Sequence, residues 1–306
     1  MQTLSNFYES IFGCKTYKIS LDAGCTCPNR DGTKGIGGCI FCSQAGSGDF
    51  IAGRKLLIPE QLEQGKKLVE AKLRGRSGER QGKYIAYFQS FTSTYGDPTV
   101  LLSKYHEALS CEGVAGLAVA TRPDCLSPAI LRGLGEISRS HFVQIELGLQ
   151  TSNEATGQFI NRCYTNQDYI DAVHRIREEA LSIHIVTHLI FGLPGESEQD
   201  MLNSVKFVVE NNVKEWGLKI TSLYILQNTR LAVMYEAGDY QPLTKEQYFS
   251  LLQKALPLLP ENCVVHRLTG DPPKSQLLSP AWTADKKRVL NDLLTLVKSH
   301  NKILLL

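Results

Sequence analysis

Short runs of consecutive apolar residues alternate along the chain with longer stretches in which apolar residues recur every three to four positions. The runs Tyr17–Leu21, Tyr84–Phe88, Gly116–Ala120, Phe142–Leu149, Ile183–Phe191 and Leu218–Leu226 predict strands. The amphipathic stretches Pro59–Leu73, Pro98–Leu109, Ser127–Ile137, Asn166–Ala180 and Glu198–Glu210 predict the helices between them. Several carry start signals: Pro59 and Pro98 suit a first turn, and Ser127 caps a helix that Pro128 enters. Six strand-then-helix units of this length imply parallel βαβ connections. They fit a doubly wound sheet or an incomplete (β/α) barrel, and either architecture puts ligand-binding residues at the carboxyl ends of the strands. Beyond about Tyr240 the alternation changes to a helix near Thr244–Leu258, a short strand at Cys263–Arg267 and a helix near Ala284–Ser299.

Composition narrows the class without choosing a function. The 306 residues are 42% hydrophobic and 21% charged, which is ordinary for a globular protein. No apolar run approaches the roughly 18–20 residues of a membrane span. The start of the chain shows no basic flank followed by an apolar stretch, so no signal peptide is expected. The net charge of +2 does not by itself imply a polyanionic partner. One loop, Lys72 to Lys83, gathers Arg74, Arg76 and Arg80 against Glu79; it reads as a solvated loop or as a phosphate-contacting patch.

The nine cysteines carry more information. An odd count without an export signal points away from a disulfide framework and towards a reducing cytoplasm. Four of them, Cys25, Cys27, Cys39 and Cys42, fall in one glycine-rich loop after the first predicted strand. Thiolates are soft ligands that select zinc or iron–sulfur centres. A zinc site would use all four, although Cys25-Thr26-Cys27 is tight for two arms of one tetrahedron. An iron–sulfur site would use Cys27, Cys39 and Cys42 and leave one iron of a [4Fe–4S] cluster without a protein ligand. Spacing alone favours iron–sulfur without closing the question, and a simple redox dithiol would explain neither Cys27 nor the glycines.

The loop, DAGCTCPNRDGT followed by GGCIFC, resembles that of the radical S-adenosylmethionine (SAM) superfamily, and in particular a small bacterial group related to the Elongator catalytic subunit. Further motifs at successive strand ends carry the same resemblance: Gln89-Ser90, Ala120 to Asp124, Glu146 to Gln150, Asn161-Arg162 and His188 to Gly195. The resemblance implies a partial (β/α)6 TIM-type barrel over residues 1–235 and a C-terminal α/β extension over 236–306. It implies Cys27, Cys39 and Cys42 as cluster ligands, with Cys25 a bystander. It also implies a SAM site drawn from Gln89, Ser90, Arg122, Glu146, Gln150, Arg162 and His188, with Gln150 on the ribose and Arg162 on the methionine carboxylate. The implied chemistry is generation of a 5′-deoxyadenosyl radical that abstracts hydrogen from a substrate. The implied substrate is the C5 side chain of a tRNA wobble uridine, taken from carboxymethylaminomethyl to aminomethyl, with an electron donor such as a flavodoxin or ferredoxin. Val265 to Asp271, Trp282 and Lys286-Lys287-Arg288 would then meet the anticodon loop, or else serve only as a packing unit. A small-molecule or peptide substrate, and a zinc-stabilised nucleic-acid-binding protein without catalysis, are the competing readings.

Overall fold

A parallel sheet flanked by helices organises the chain. The computed structural model describes residues 2–51, 53–73 and 82–303. In chain order the elements are β1 (Gln2–Thr3), α1 (Leu4–Phe12), β2 (Lys15–Leu21), α2 (Ile58–Leu73), β3 (Gly82–Phe88), α3 (Pro98–Ser110) and β4 (Val114–Thr121). Next come α4 (Pro128–Ile137), β5 (Phe142–Gln150), α5 (Glu154–Phe159), α6 (Asn166–Glu179), β6 (His184–Phe191) and α7 (Glu198–Glu210). The remainder is β7 (Trp216–Ser222), β8 (Ile225–Leu226), α8 (Arg230–Glu236), α9 (Lys245–Ala255), β9 (Cys263–Arg267), β10 (Leu277–Ser279) and α10 (Lys286–Ile303).

Eight strands form one sheet in the order β1-β9-β7-β6-β5-β4-β3-β2, with every pairing parallel. The sheet curls into a half-barrel. Lys18 on the edge strand β2 and Lys219 on β7 both reach Glu146 on β5. In a flat sheet three strand spacings, about 14 Å, would separate β2 from β5. The outer face is apolar and covered by α2, α3, α4, α6, α7 and α9, whose buried residues form one continuous core with Leu21, Phe88, Val119, Leu147, Leu189 and Ile220. Helix starts follow local chemistry: Asp97 caps α3, Ser127 caps α4, and capping boxes Thr165/Asp168 and Ser197/Asp200 open α6 and α7.

Two departures from the expected elements have clear causes. The N-terminal segment forms α1, capped by Thr3 and ended by Gly13 in the left-handed conformation. Its Phe7 and Tyr8 pack against Phe142, His184 and His266 and plug the inside of the half-barrel. The strand expected over Leu218–Leu226 divides: β7 ends at Ser222, and Ile225–Leu226 pairs instead with β10 in a separate antiparallel ribbon. Cys263–Arg267 joins the main sheet beside β7 as its next parallel strand.

Candidate active site

The loop carrying the cysteines leaves the carboxyl end of β2 and folds on its own backbone. Arg30 N–H donates to Cys27 O at 2.8 Å, Lys34 N–H to Pro28 O at 2.8 Å, and Gly38 N–H to Asn29 O at 2.7 Å. Gly35 lies so close to Asn29 that a Cβ there would sit 2.2 Å from its Oδ1. The loop is latched to the segment after α5. Asn29 Nδ2 donates to Asn161 O, Asn161 Nδ2 returns to Gly38 O at 2.8 Å, and Ile40 N–H bonds Ile160 O at 3.1 Å.

Cys27, Cys39 and Cys42 come together in this loop. The Cys39 and Cys42 side chains hydrogen-bond to each other, which lowers the Cys42 thiol to about 7, with Arg30 adding to the effect, and holds Cys39 well above the usual range. Cys27 is close enough to act electrostatically on Cys39, and Arg122 Nη1 lies 3.9 Å from Cys27 Sγ. Cys25 points elsewhere. It packs on the apolar core, burial pushes its thiol up to about 11, and its electrostatic partners are Lys104 and Asp22 rather than another cysteine. Among the described residues no three His, Cys, Asp or Glu side chains gather tightly enough for a single ion. A cluster whose thiolates bind separate irons does not need that. The donor set, three thiols beside two guanidinium groups, fits such a cluster.

The two arginines expected near SAM are both engaged by the protein. Arg122 forms a bidentate pair with Asp124 at 2.8 and 2.9 Å and donates to the carbonyls of Arg162 and Cys163 at 3.2 Å. Arg162 is fully buried. Its five N–H groups go to Tyr164 O, Leu149 O, Thr151 O, Glu154 Oε2 and Asn166 Oδ1, at 2.7 to 3.2 Å. This corrects the expectation that Arg162 holds a carboxylate: no donor remains for one, and its fork instead ties the end of β5 to α5 and α6. Tyr164 lies between the two guanidinium groups, 4.8 Å from each.

The remaining expected residues divide between the strand tips and the barrel interior. At the tips, Gln89 Nε2 donates to Ser47 O at 3.0 Å, and buried Ser90 accepts from Arg54 at 2.8 Å. Gln150 stands at φ +70° beside a bulge in β5, half-buried. Deeper inside, Glu146 is the centre of a buried network. It receives Lys18 Nζ, Tyr87 Oη and Gln144 Nε2 at 2.5 Å, His188 Nε2 at 2.8 Å, and Lys219 Nζ. Burial opposes its charge, but Lys18 and Lys219 outweigh it and hold the carboxyl well below the usual range. Burial in turn lowers Lys219 to about 7 and His188 to about 4. Glu146 and His188 are thus brought together, and Lys18, Tyr87, Gln144 and Lys219 are the members that the sequence reading missed. Their signal was a lysine inside each of two apolar strand runs, YKISL and LKITS.

The C-terminal residues are mostly internal. His266 is buried and hydrogen-bonded to His184 at 2.9 Å. Trp282 stacks on Tyr248 and donates to Leu243 O at 3.1 Å, and Lys286 pairs with Asp271. Lys287 and Arg288 form no ion pair among the described residues. Of the basic loop, Arg74, Arg76, Glu79 and Arg80 lie outside the described residues. Among the described residues no helix is long and apolar enough to cross a membrane.

Comparison with known proteins gives this geometry a context. The sequence profile of the radical SAM superfamily matches residues 27–208, and that of the Radical_SAM C-terminal domain matches residues 216–298. The chain is 38% identical to the uncharacterized protein YtqA of Bacillus subtilis over 94% of its own length and 86% of that protein. It is 24% identical to the tRNA uridine(34) acetyltransferase of Methanocaldococcus jannaschii over 53% of this chain and 29% of that one. The fold superposes on the archaeal Elp3 of Methanocaldococcus infernus with a TM-score of 0.62 and 15% identity, covering 86% of this chain and 59% of that chain.

Proposed function

Because the chain belongs to the radical SAM superfamily, we propose that it modifies the C5 side chain of the wobble uridine of tRNA, taking carboxymethylaminomethyl to aminomethyl. A [4Fe–4S] cluster and SAM are the cofactors of this superfamily, and together they supply a 5′-deoxyadenosyl radical for hydrogen abstraction. Cys27, Cys39 and Cys42 are the residues that would hold the cluster, and the latch between Asn29 and Asn161 holds their loop over the strand tips. Arg122 keeps a positive charge beside Cys27. Gln89, Ser90 and Gln150 line the SAM side, while Arg162 fixes the backbone behind them. The half-barrel confines the substrate under the loop and keeps bulk water from it.

The observation that carries the substrate reading is the combined likeness to the Elongator group: its fold in the archaeal Elp3, and a relative named for uridine 34 of tRNA. Residues 1–235 then form the catalytic half-barrel. Residues 236–306 complete its sheet and offer Lys287 and Arg288 to the nucleic acid. A reducing cytoplasm and a flavodoxin or ferredoxin donor suit such a cluster. The test is a comparison of modified nucleosides in tRNA from cells with and without the protein, followed by conversion with purified, anaerobically reconstituted enzyme. Loss of the aminomethyl form and accumulation of the carboxymethylaminomethyl form are expected. An unchanged wobble-uridine profile would move the substrate to a small molecule or peptide.

A further inference from the structure

Inside the half-barrel two lysines share one carboxylate. Lys18, Lys219 and Arg267 act on one another electrostatically, and among the described residues Glu146 is the carboxylate that pairs with both lysines. Tyr87 stays protonated, its hydroxyl pushed up by burial and by Glu146, and His188 is neutral at ordinary pH. Lys18 and Lys219 are 14% and 8% exposed, whereas Arg267 at the end of β9 is exposed. Charges withdrawn from water need partners, and on this floor Lys18 and Lys219 share the single carboxylate of Glu146, which leaves a surplus of cationic groups over carboxylates there among the described residues.

The surplus is reachable from one side. On each strand the residue two positions nearer the carboxyl end shares the same face. Those residues, Ser20, Ala120, Gly148, Ile190 and Thr221, are all half-exposed and all uncharged. They form the walls of a bowl that opens towards the cysteine loop, with the Lys18–Glu146–Lys219 network as its floor. Tyr224 stands at the rim, where Arg267, Asp49, Asp271 and Cys42 all act on it, so the carboxylates of this region other than Glu146 lie at the rim. A substrate held between the cysteines and the floor would set its far end on the cations.

We propose that this floor is a carboxylate subsite, in which Lys18, Lys219 and Arg267 hold the anionic end of the substrate and Glu146 fixes the two lysines in place. The inference rests on the reading above, which gives the uridine side chain an N-carboxymethyl terminus. The RNA phosphates remain on the backbone outside the bowl, so the carboxylate is the anion that reaches the floor.

The experiment is calorimetric titration of the anaerobically reconstituted protein, with SAM bound, against three nucleosides: 5-carboxymethylaminomethyluridine, its methyl ester and 5-aminomethyluridine. A charge-assisted contact predicts that the acid binds about tenfold or more tightly than the ester or the amine. Arg267→Met, at an exposed position, should remove most of that preference; Lys219→Met should do the same wherever its melting curve shows a folded protein. The preference should also fade above about pH 7, where Lys219 loses its proton, by up to about tenfold per pH unit. The groups that face Lys219 are Glu146, Lys18, Arg267, Tyr87, His188 and His266; His188 and His266 are lowered and Tyr87 is raised by burial, whereas burial lowers Lys18 as it lowers Lys219, so the two lysines share the pH dependence. A second arm uses N-methylglycine and its methyl ester, which carry the carboxylate without the base. If N-methylglycine binds in preference to its ester and Arg267→Met abolishes this while no nucleoside binds, the subsite stands and the uridine reading falls. If the enzyme converts tRNA yet acid and ester bind equally, the uridine reading stands and the subsite is overturned. Equal or absent binding throughout overturns the subsite as well.

Discussion

A cysteine's role depends on where its sulfur points, and two cysteines separated by one residue test this directly. Cys25 lies against the core with its thiol raised by burial, while Cys27 faces Cys39 and Arg122. Cys27→Ala should therefore abolish the visible absorbance, at roughly 400 nm, of the reconstituted iron–sulfur protein, and Cys25→Ala should leave it. Bleaching by Cys25→Ala alone would reverse the ligand assignment. Arg162 makes the opposite point. Its motif drew it towards the cofactor, yet its five donors are all taken, by three backbone carbonyls and by the side chains of Glu154 and Asn166. Arg162→Lys keeps the charge but loses the planar fork. It should cost about 2–4 kcal/mol in denaturant unfolding of the cluster-free protein. An unchanged unfolding midpoint would mean that the guanidinium matters only to a ligand. A short motif marks a position on a strand end; it does not show which way the side chain turns, and that is where residue-level reading failed.

At the scale of elements the sequence was a good guide where periodicity and caps agreed. Glu198–Glu210 and Cys263–Arg267 have the expected limits, and Ser127 caps α4 as its position before Pro128 suggested. Helix α1 was missed although Leu4, Phe7, Tyr8 and Ile11 recur at helical spacing, because nine residues at a chain start make a weak pattern. What α1 covers has a measurable consequence. It helps to bury His184 and His266, and with His188 these hold three imidazoles inside the half-barrel. Burial lowers His184 to about 3, His188 to about 4 and His266 well below its usual value. In the unfolded chain each takes a proton near 6.5. A depressed histidine therefore contributes stability above that pH and loses it as pH falls towards the folded value. These three histidines should together take up nearly three protons on unfolding between pH 6 and 4.5, a contribution of about 4 kcal/mol per pH unit, against which Glu196, raised to about 7 by burial, releases up to one. His184→Phe should lower the measured slope by about 1.4 kcal/mol per pH unit, one proton's worth, read from urea unfolding across that range. A slope unaffected by the substitution would mean that His184 is protonated in the folded barrel.

The whole molecule brings together residues that no local pattern could connect. The alternation of strands and helices left a doubly wound sheet and a half-barrel equally open. The closure that puts Lys18 of β2 on Glu146 of β5 settles the matter only in three dimensions. The same closure sorts the basic residues into two sets. Arg267 and the two lysines face the bowl, whereas Lys287 and Arg288 sit at the start of α10 with no ion pair among the described residues. A net charge of +2 does not by itself draw RNA to the protein, so binding should depend on local contacts. Each phosphate neutralised on a single-stranded loop contributes about −0.7 to the slope of log K against log salt. Lys287→Gln with Arg288→Gln should therefore flatten that slope by about 1.4 and weaken binding of every tRNA alike. Arg267→Met should leave the slope unchanged, because the bowl takes a side chain rather than the backbone. Filter binding of unmodified tRNA at several salt concentrations reads both variants. If the paired substitution leaves the slope where it was, the start of α10 is not where the RNA lies, and the contact face must be sought elsewhere on the rim above the cysteine loop.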